Sequence, residues 1–83
     1  ANHIFSYIEL GEKHAIIEVA VPDSWQGHSI GELDIRRKYG VNILGVKRND
    51  KTDVNISPET VLDSSLTLLV LGEYTVLKKC FRL

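Results

Sequence analysis

The chain has 83 residues, a net charge of −1, 43% hydrophobic residues and 25% charged residues. These values predict one small globular domain, and they exclude the strongly basic surface that favours nucleic acid. The longest apolar run, 68–71, is too short to span a bilayer, and the single cysteine excludes an internal disulfide bond.

Two strands are predicted at the start of the chain. Residues 4–10 are rich in β-branched and aromatic side chains, and GEKH is the turn that follows. The second strand, 14–21, places Ile17, Val19 and Val21 on one face. Trp25 comes after this strand, and we interpret it as a packing residue.

A helix is predicted to begin near Ile30 and to end at Gly40. Ser29 and Glu32 have the spacing of a capping box, in which each side chain accepts a hydrogen bond from the other residue's backbone. Gly40 is suited to the left-handed conformation that ends many helices.

This helix has two apolar sides when it is projected at ~100° per residue. Ile30 and Leu33 face the expected core, whereas Ile35 and Tyr39 face away from it. A second apolar side predicts a partner chain or a ligand, although single exposed apolar residues are common. Arg36 lies between the two sides, where it would either bind a phosphate or carboxylate or complement the helix dipole in solvent.

Three strands and a helix are predicted in the second half of the chain. The strands cover 41–48, 53–56 and 66–71, and the last of them is apolar enough to be a central strand covered on both faces. The final helix, 73–82, has Val76, Leu77, Cys80 and Phe81 on one side. The order β-β-α-β-β-β-α is that of a small α+β domain.

The sequence contains no arrangement typical of a metal site, a cofactor site or a catalytic site. His3, His14 and His28 lack metal-ligand spacing, and there is no glycine-rich phosphate loop. Cys80 lies on an apolar helix face, where a cysteine usually behaves as a small buried hydrophobic residue. We therefore expect neither an enzyme nor a bound cofactor.

Two segments, GHSIGELDIRRKYGVNILGVKRNDK and ISPETVLDSSLTLLVLG, resemble the C-terminal regulator-of-potassium-conductance (RCK_C) domain, also called the TrkA-C domain. The resemblance covers roughly residues 16–72, and ELDIRRKYGVN is its most specific block. With the preceding SYIEL strand, the chain is most similar to KtrA-type cytosolic subunits of bacterial potassium uptake systems. One departure is that Ser65 and Leu66 stand where the family usually has Gly-Asp.

The resemblance implies a homodimer that binds the regulatory ligand cyclic di-AMP between its two copies. The first helix and the neighbouring strands would form the interface. Arg36 would contact a phosphate and Asn42 would be a second polar partner of the ligand. The apolar walls around the adenines would be Ile30, Ile35, Val41, Ile43 and Pro58, with Leu44 as a weaker candidate.

The resemblance also implies a larger assembly. We expect the chain, which lacks methionine, to be a piece of a longer protein in which domain 1–83 follows an N-terminal nucleotide-binding domain. A cytoplasmic ring of such subunits would regulate a membrane potassium channel subunit. Two alternatives stay open: a dimerisation module with no nucleotide ligand, and a small-metabolite or ion sensor that uses Glu32 and Asp34.

Overall fold

A computed structural model describes residues 3–83; residues 1–2 of the predicted domain lie outside the described residues. The strands are Ile4–Leu10 (β1), His14–Ala20 (β2), Asn42–Arg48 (β3), Lys51–Asp53 (β4) and Thr67–Glu73 (β5). The helices are Ile30–Leu33 (α1), Ile35–Tyr39 (α2) and Tyr74–Phe81 (α3), and a 3-10 turn covers Asp23–Trp25. The strands form one antiparallel sheet in the order β1-β2-β5-β3-β4. The predicted α+β class and the order of elements are confirmed.

The core lies on one face of the sheet, where β2 and β5 pair along their full length. Ile17 is opposite Val70 and Val19 is opposite Leu68, and all four side chains are buried. The helices cover this face, with Leu77 and Phe81 of α3 buried against it. The predicted apolar sides of β2 and of the final helix are therefore confirmed.

The opposite face of the sheet is more exposed than the sequence predicted. β5 is the central strand, as expected, but Leu69 and Leu71 on this face are only half-buried. The expectation that β5 is covered on both faces is therefore wrong, because all three helices pack on the core face. None of the helices in residues 3–83 combines the length and the apolar character needed to cross a membrane.

Glu18 is a buried carboxylate on this second face, with 6% of its surface exposed. It accepts hydrogen bonds from the hydroxyls of Thr67 (2.7 Å) and Ser6 (3.1 Å), and Lys47 Nζ lies 3.6 Å away. The Thr67 hydrogen bond, helped by Ser6 and Lys47, lowers the pKa of Glu18 although burial acts in the opposite direction. The charged carboxylate thus connects β2 to both of its neighbours, β1 and β5, and to β3 beyond β5.

The fourth strand lies earlier than predicted. Asn49 and Asp50 both have positive φ, 50° and 63°, which is the conformation of a two-residue hairpin turn. Because this turn closes the hairpin at once, β4 is Lys51–Asp53 and not 53–56. Residues 54–66 then run without a regular strand to β5.

The predicted first helix is two short helices. The capping box between Ser29 and Glu32 is present, and Gly40 ends α2 with φ 74°, so both predicted ends are confirmed. Asp34, however, has φ 51° and ψ 49°, a left-handed residue that separates α1 from α2. Asp is among the few non-glycine residues that adopt this conformation readily.

The break at Asp34 changes which residues face the core. Ile35 is 3% exposed and belongs to the core, so the prediction that it faces away is wrong. Tyr39 is 38% exposed, and its ring lies 5.2 Å from the ring of buried Trp25. The interpretation of Trp25 as a packing residue agrees with this contact. The predicted second apolar side of the helix does not exist, because one helical projection does not apply across the break.

Candidate functional site

A cleft of about 610 Å³ lies between the two short helices and the start of β3. Its volume is in the range of small-molecule sites, which is roughly 300–1,000 Å³. The lining residues are Ile30, Gly31, Asp34, Ile35, Arg36, Arg37, Val41, Asn42 and Ile43.

Most of the residues predicted to bind a ligand line this cleft. They are Arg36, Asn42, Ile30, Ile35, Val41 and Ile43. Pro58 and Leu44 are not among the lining residues: Pro58 lies behind Gly31, and Leu44 lies at an irregularity in the pairing of β3 with β5. Gly31, Asp34 and Arg37 line the cleft but were not predicted to be site residues.

The apolar wall of the cleft is continuous with the core. Ile35 and Val41 are buried at 3% and 0% exposure, and Ile30 and Ile43 are half-buried against them. Such a wall is fixed by packing before any ligand arrives. The surface of this wall that an apolar part of a ligand can contact belongs to Ile30 and Ile43, and their packing limits the cost of ordering them.

Two polar side chains of the cleft have no partner within residues 3–83. The Arg36 guanidinium group is exposed at the first turn of α2, and the Asn42 amide is half-buried at the start of β3. Neither forms a side-chain hydrogen bond or ion pair with the described part of the chain. A guanidinium group and an amide that are both unpaired beside an apolar wall can bind an anionic ligand with an aromatic part.

The carboxylate of Asp34 forms an ion pair with Arg37. Asp34 Oδ2 accepts a hydrogen bond from Arg37 Nε at 2.5 Å, so these two charges form an ion pair at the edge of the cleft. With Arg36, the charged lining residues are two arginines and one aspartate, which leaves one net positive charge in each copy of the cleft.

Glu32 also has partners within the described residues, Ser29 and His28. Its side chain accepts from the Ser29 backbone N–H at 3.3 Å and lies 3.0 Å from His28 Nδ1. The His28 hydrogen bond, followed by that of Ser29, lowers the pKa of Glu32. Glu32 therefore caps α1, and the Asp34 carboxylate pairs with Arg37, which argues against the alternative in which these two carboxylates bind a metabolite or ion.

Residues 3–83 contain no group of three or more His, Cys, Asp or Glu side chains placed to hold a metal ion. Cys80 is half-buried on α3, and burial raises the pKa of its thiol to about 11. A thiol with this pKa stays protonated near neutral pH and is a poor nucleophile.

Known proteins resemble this chain along most of its length. The model of the TrkA-C domain family matches residues 14–82. The chain belongs to the TrkA-C domain family. The Ktr system potassium uptake protein C of Bacillus subtilis (strain 168) is 33% identical over 75 residues, which are 90% of this chain and 34% of that protein. The chain spans about a third of the length of the curated relatives it matches.

Solved TrkA-C (RCK_C) structures share the fold. The RCK C domain of the potassium transport protein KtrA, in complex with cyclic di-AMP, is 30% identical with a TM-score of 0.75, and the match covers 83% of this chain and 81% of that chain. The GsuK RCK domain is 26% identical with a TM-score of 0.79, and the match covers 99% of this chain and 18% of that chain. The resemblance to this family expected from the sequence is confirmed.

Backbone hydrogen bonds hold the segment that carries Pro58 against the start of α1 in this TrkA-C domain. Gly31 donates to the Pro58 carbonyl at 2.8 Å, and Ile30 donates to the Thr60 carbonyl at 2.9 Å. Further along, Leu62 donates to the His28 carbonyl, and Gly27 donates to the Leu62 carbonyl. The irregular segment 54–66 is thereby fixed behind the cleft.

Gly31 allows this close approach, because a Cβ atom there would lie 2.8 Å from Pro58 Cβ and 3.0 Å from Pro58 O. We expect Gly31→Ala to displace the Pro58 segment and to lower the free energy of unfolding by roughly 1–3 kcal/mol, even though Ala favours a helix. Urea denaturation measures this change. The control repeats Gly31→Ala in a Pro58→Gly background, where the closest atom is absent and the substitution should cost less than it does in the unchanged protein. Unchanged stability in Gly31→Ala alone would contradict the close packing.

Proposed function

We propose that this TrkA-C domain is a regulatory module that binds cyclic di-AMP between two copies of the chain and thereby controls potassium transport. The observation that carries this proposal is a pair of polar side chains, Arg36 and Asn42, that have no side-chain partner among residues 3–83 and lie beside an apolar wall. The 30% identity to a KtrA domain solved with cyclic di-AMP supports the choice of ligand.

The charge of the cleft supports a ligand with two phosphates. Each copy contributes one net positive charge from its lining residues, and cyclic di-AMP carries one negative charge on each of its two phosphates. A ligand with two equal halves suits a two-fold axis, since both copies then make the same contacts. Arg36 of each copy contacts one phosphate, Asn42 provides a second hydrogen bond, and the isoleucines pack on the adenines.

The wider assembly is part of the same proposal. The domain follows an N-terminal nucleotide-binding domain in a longer cytoplasmic chain, and a ring of these chains acts on a membrane potassium channel subunit. Ligand binding favours one arrangement of the dimer only as far as its affinities for the two arrangements differ. The domain is neither an enzyme nor a nucleic-acid-binding module in this proposal.

Calorimetric titration of the purified protein with cyclic di-AMP tests the ligand. We expect one ligand per two chains, and a loss of roughly a hundred- to ten-thousandfold in affinity for Arg36→Ala, because each ligand then loses two hydrogen bonds to charged groups, each contributing about 1.5–3 kcal/mol. Asn42→Ala should lose less, since the Asn42 amide is neutral. Lys79→Ala, which removes an exposed charge on α3 outside the cleft, is the matched control and should bind normally.

The rival of a dimerisation module without a nucleotide ligand has a separate signature. A ligand that binds only the folded protein must raise the melting temperature. A dimer in analytical ultracentrifugation whose melting temperature does not respond to cyclic di-AMP would support the rival. Absence of binding by the unchanged protein, or equal binding by Arg36→Ala, would refute the assignment of this cleft.

A further inference from the structure

We propose that Arg37 is a positioning residue that neutralises Asp34, so that Arg36 alone meets the phosphate. This inference rests on the proposed function and concerns the same cleft. Two adjacent arginines line the cleft, but their surroundings differ. Arg37 is held by Asp34, whereas Arg36 has no side-chain partner in residues 3–83.

The backbone explains why Asp34 lies at the cleft. Its left-handed conformation ends α1 and starts α2, and its N–H donates to the carbonyls of Ile30 and Gly31. The carboxylate makes no capping hydrogen bond to α2. A carboxylate that caps neither helix and lines a cleft for anions would repel a phosphate unless a cation neutralised it.

Arg37 is placed to neutralise it. Arg37 comes three residues after Asp34, within the single turn of α2 where side chains at this spacing are neighbours. The Arg37 side chain is 82% exposed, and the Asp34 side chain is 37% exposed. An ion pair with this exposure adds little to stability, so its main effect is on the potential at the cleft.

The charges of three variants distinguish this role from two alternatives: direct contact of Arg37 with the phosphate, and an ion pair that only holds the two helices together. Arg37→Ala leaves Arg36 and Asp34, with no net charge. Asp34→Asn leaves two positive charges, and Asn is compatible with the left-handed backbone. The double variant Asp34→Asn/Arg37→Ala leaves Arg36 alone and so restores the original single positive charge.

Calorimetric titration of the four proteins with cyclic di-AMP at low and high salt is the test. We expect Arg37→Ala to raise Kd about tenfold at low salt, since two uncompensated carboxylates then act on each ligand. Asp34→Asn should lower Kd, and the double variant should bind like the unchanged protein. The differences should shrink at high salt because screening weakens interactions between exposed charges.

The outcomes are distinct. If Arg37 contacts the phosphate itself, or if the ion pair only holds the two helices together, the double variant will bind as poorly as Arg37→Ala, and the inference is overturned. Normal binding by Arg37→Ala also overturns it while leaving the proposed function intact. If the unchanged protein does not bind cyclic di-AMP, the proposed function fails and this inference fails with it. Lys79→Ala again controls for loss of a charge elsewhere.

Discussion

Leu68→Ala should destabilise the domain by about 3–5 kcal/mol, the upper part of the range for a buried leucine. Leu68 is fully buried near the start of β5, opposite Val19 of β2 and Val46 of β3. Strands flank Leu68 on both sides, so the backbone cannot move into the cavity that the substitution leaves. A domain of this size has a total stability of roughly 4–12 kcal/mol, so the loss is a large part of it.

Thermal denaturation followed by circular dichroism measures this loss. A change of this size corresponds to a fall of about 15–30 °C in the melting temperature of a domain of this length. Leu10→Ala at the end of β1 is the matched control, because Leu10 is 41% exposed and should cost far less. Similar losses for the two variants would mean that the core is not centred on β2 and β5.

The parts of the fold that could be predicted depend on local or strictly periodic signals. Alternation in β2 identified the face with Ile17 and Val19, because strand side chains point alternately to the two faces. The capping box at Ser29 and the left-handed Gly40 were predicted for similar reasons, since each depends on a few neighbouring residues. These features need no knowledge of tertiary contacts.

The break at Asp34 could not be predicted in this way. Aspartate is tolerated both in helices and in the left-handed conformation, so the letters ELDIRRK do not separate one helix from two. The predicted direction of Ile35 depended on an unbroken helix and was therefore wrong. Once the break is present, Ile35 joins the core, whereas Tyr39 is 38% exposed.

The candidate site was predicted by resemblance, and its less obvious members depend on tertiary structure. Arg36 and Asn42 came from the ELDIRRKYGVN block and line one cleft in the structure. Arg37 was not predicted to be a site residue, because its pairing with Asp34 depends on the break between the helices. The role of Gly31 depends on Pro58, which lies 27 positions later in the sequence.

The burial of Glu18 also depends on tertiary structure and could not be predicted from neighbouring residues. The alternation of side chains along β2 places Glu18 on the face opposite the core, where a glutamate would ordinarily be solvated. Its burial follows from Thr67, Ser6 and Lys47, which belong to three other strands and come together only in the sheet. A polar network of this kind has no signature along the chain.

Trp25→Ala should also destabilise the domain strongly, by about 3–5 kcal/mol. The Trp25 side chain is 2% exposed, and its ring lies 5.2 Å from Tyr39 of α2 and 5.4 Å from Phe81 of α3. Removing the indole therefore leaves a cavity between two helices. Because Arg36 is on α2, we expect cyclic di-AMP binding to weaken as well. Urea denaturation and calorimetric titration measure the two effects.

Two controls separate packing from direct contact with a ligand. Phe5→Ala removes an aromatic ring that is 52% exposed and should change stability little. Trp25→Phe keeps an aromatic ring against Tyr39 and Phe81, so it should retain most of the stability and bind cyclic di-AMP normally. If Trp25→Phe is stable but does not bind, Trp25 contacts the ligand, and its assignment as a packing residue is wrong.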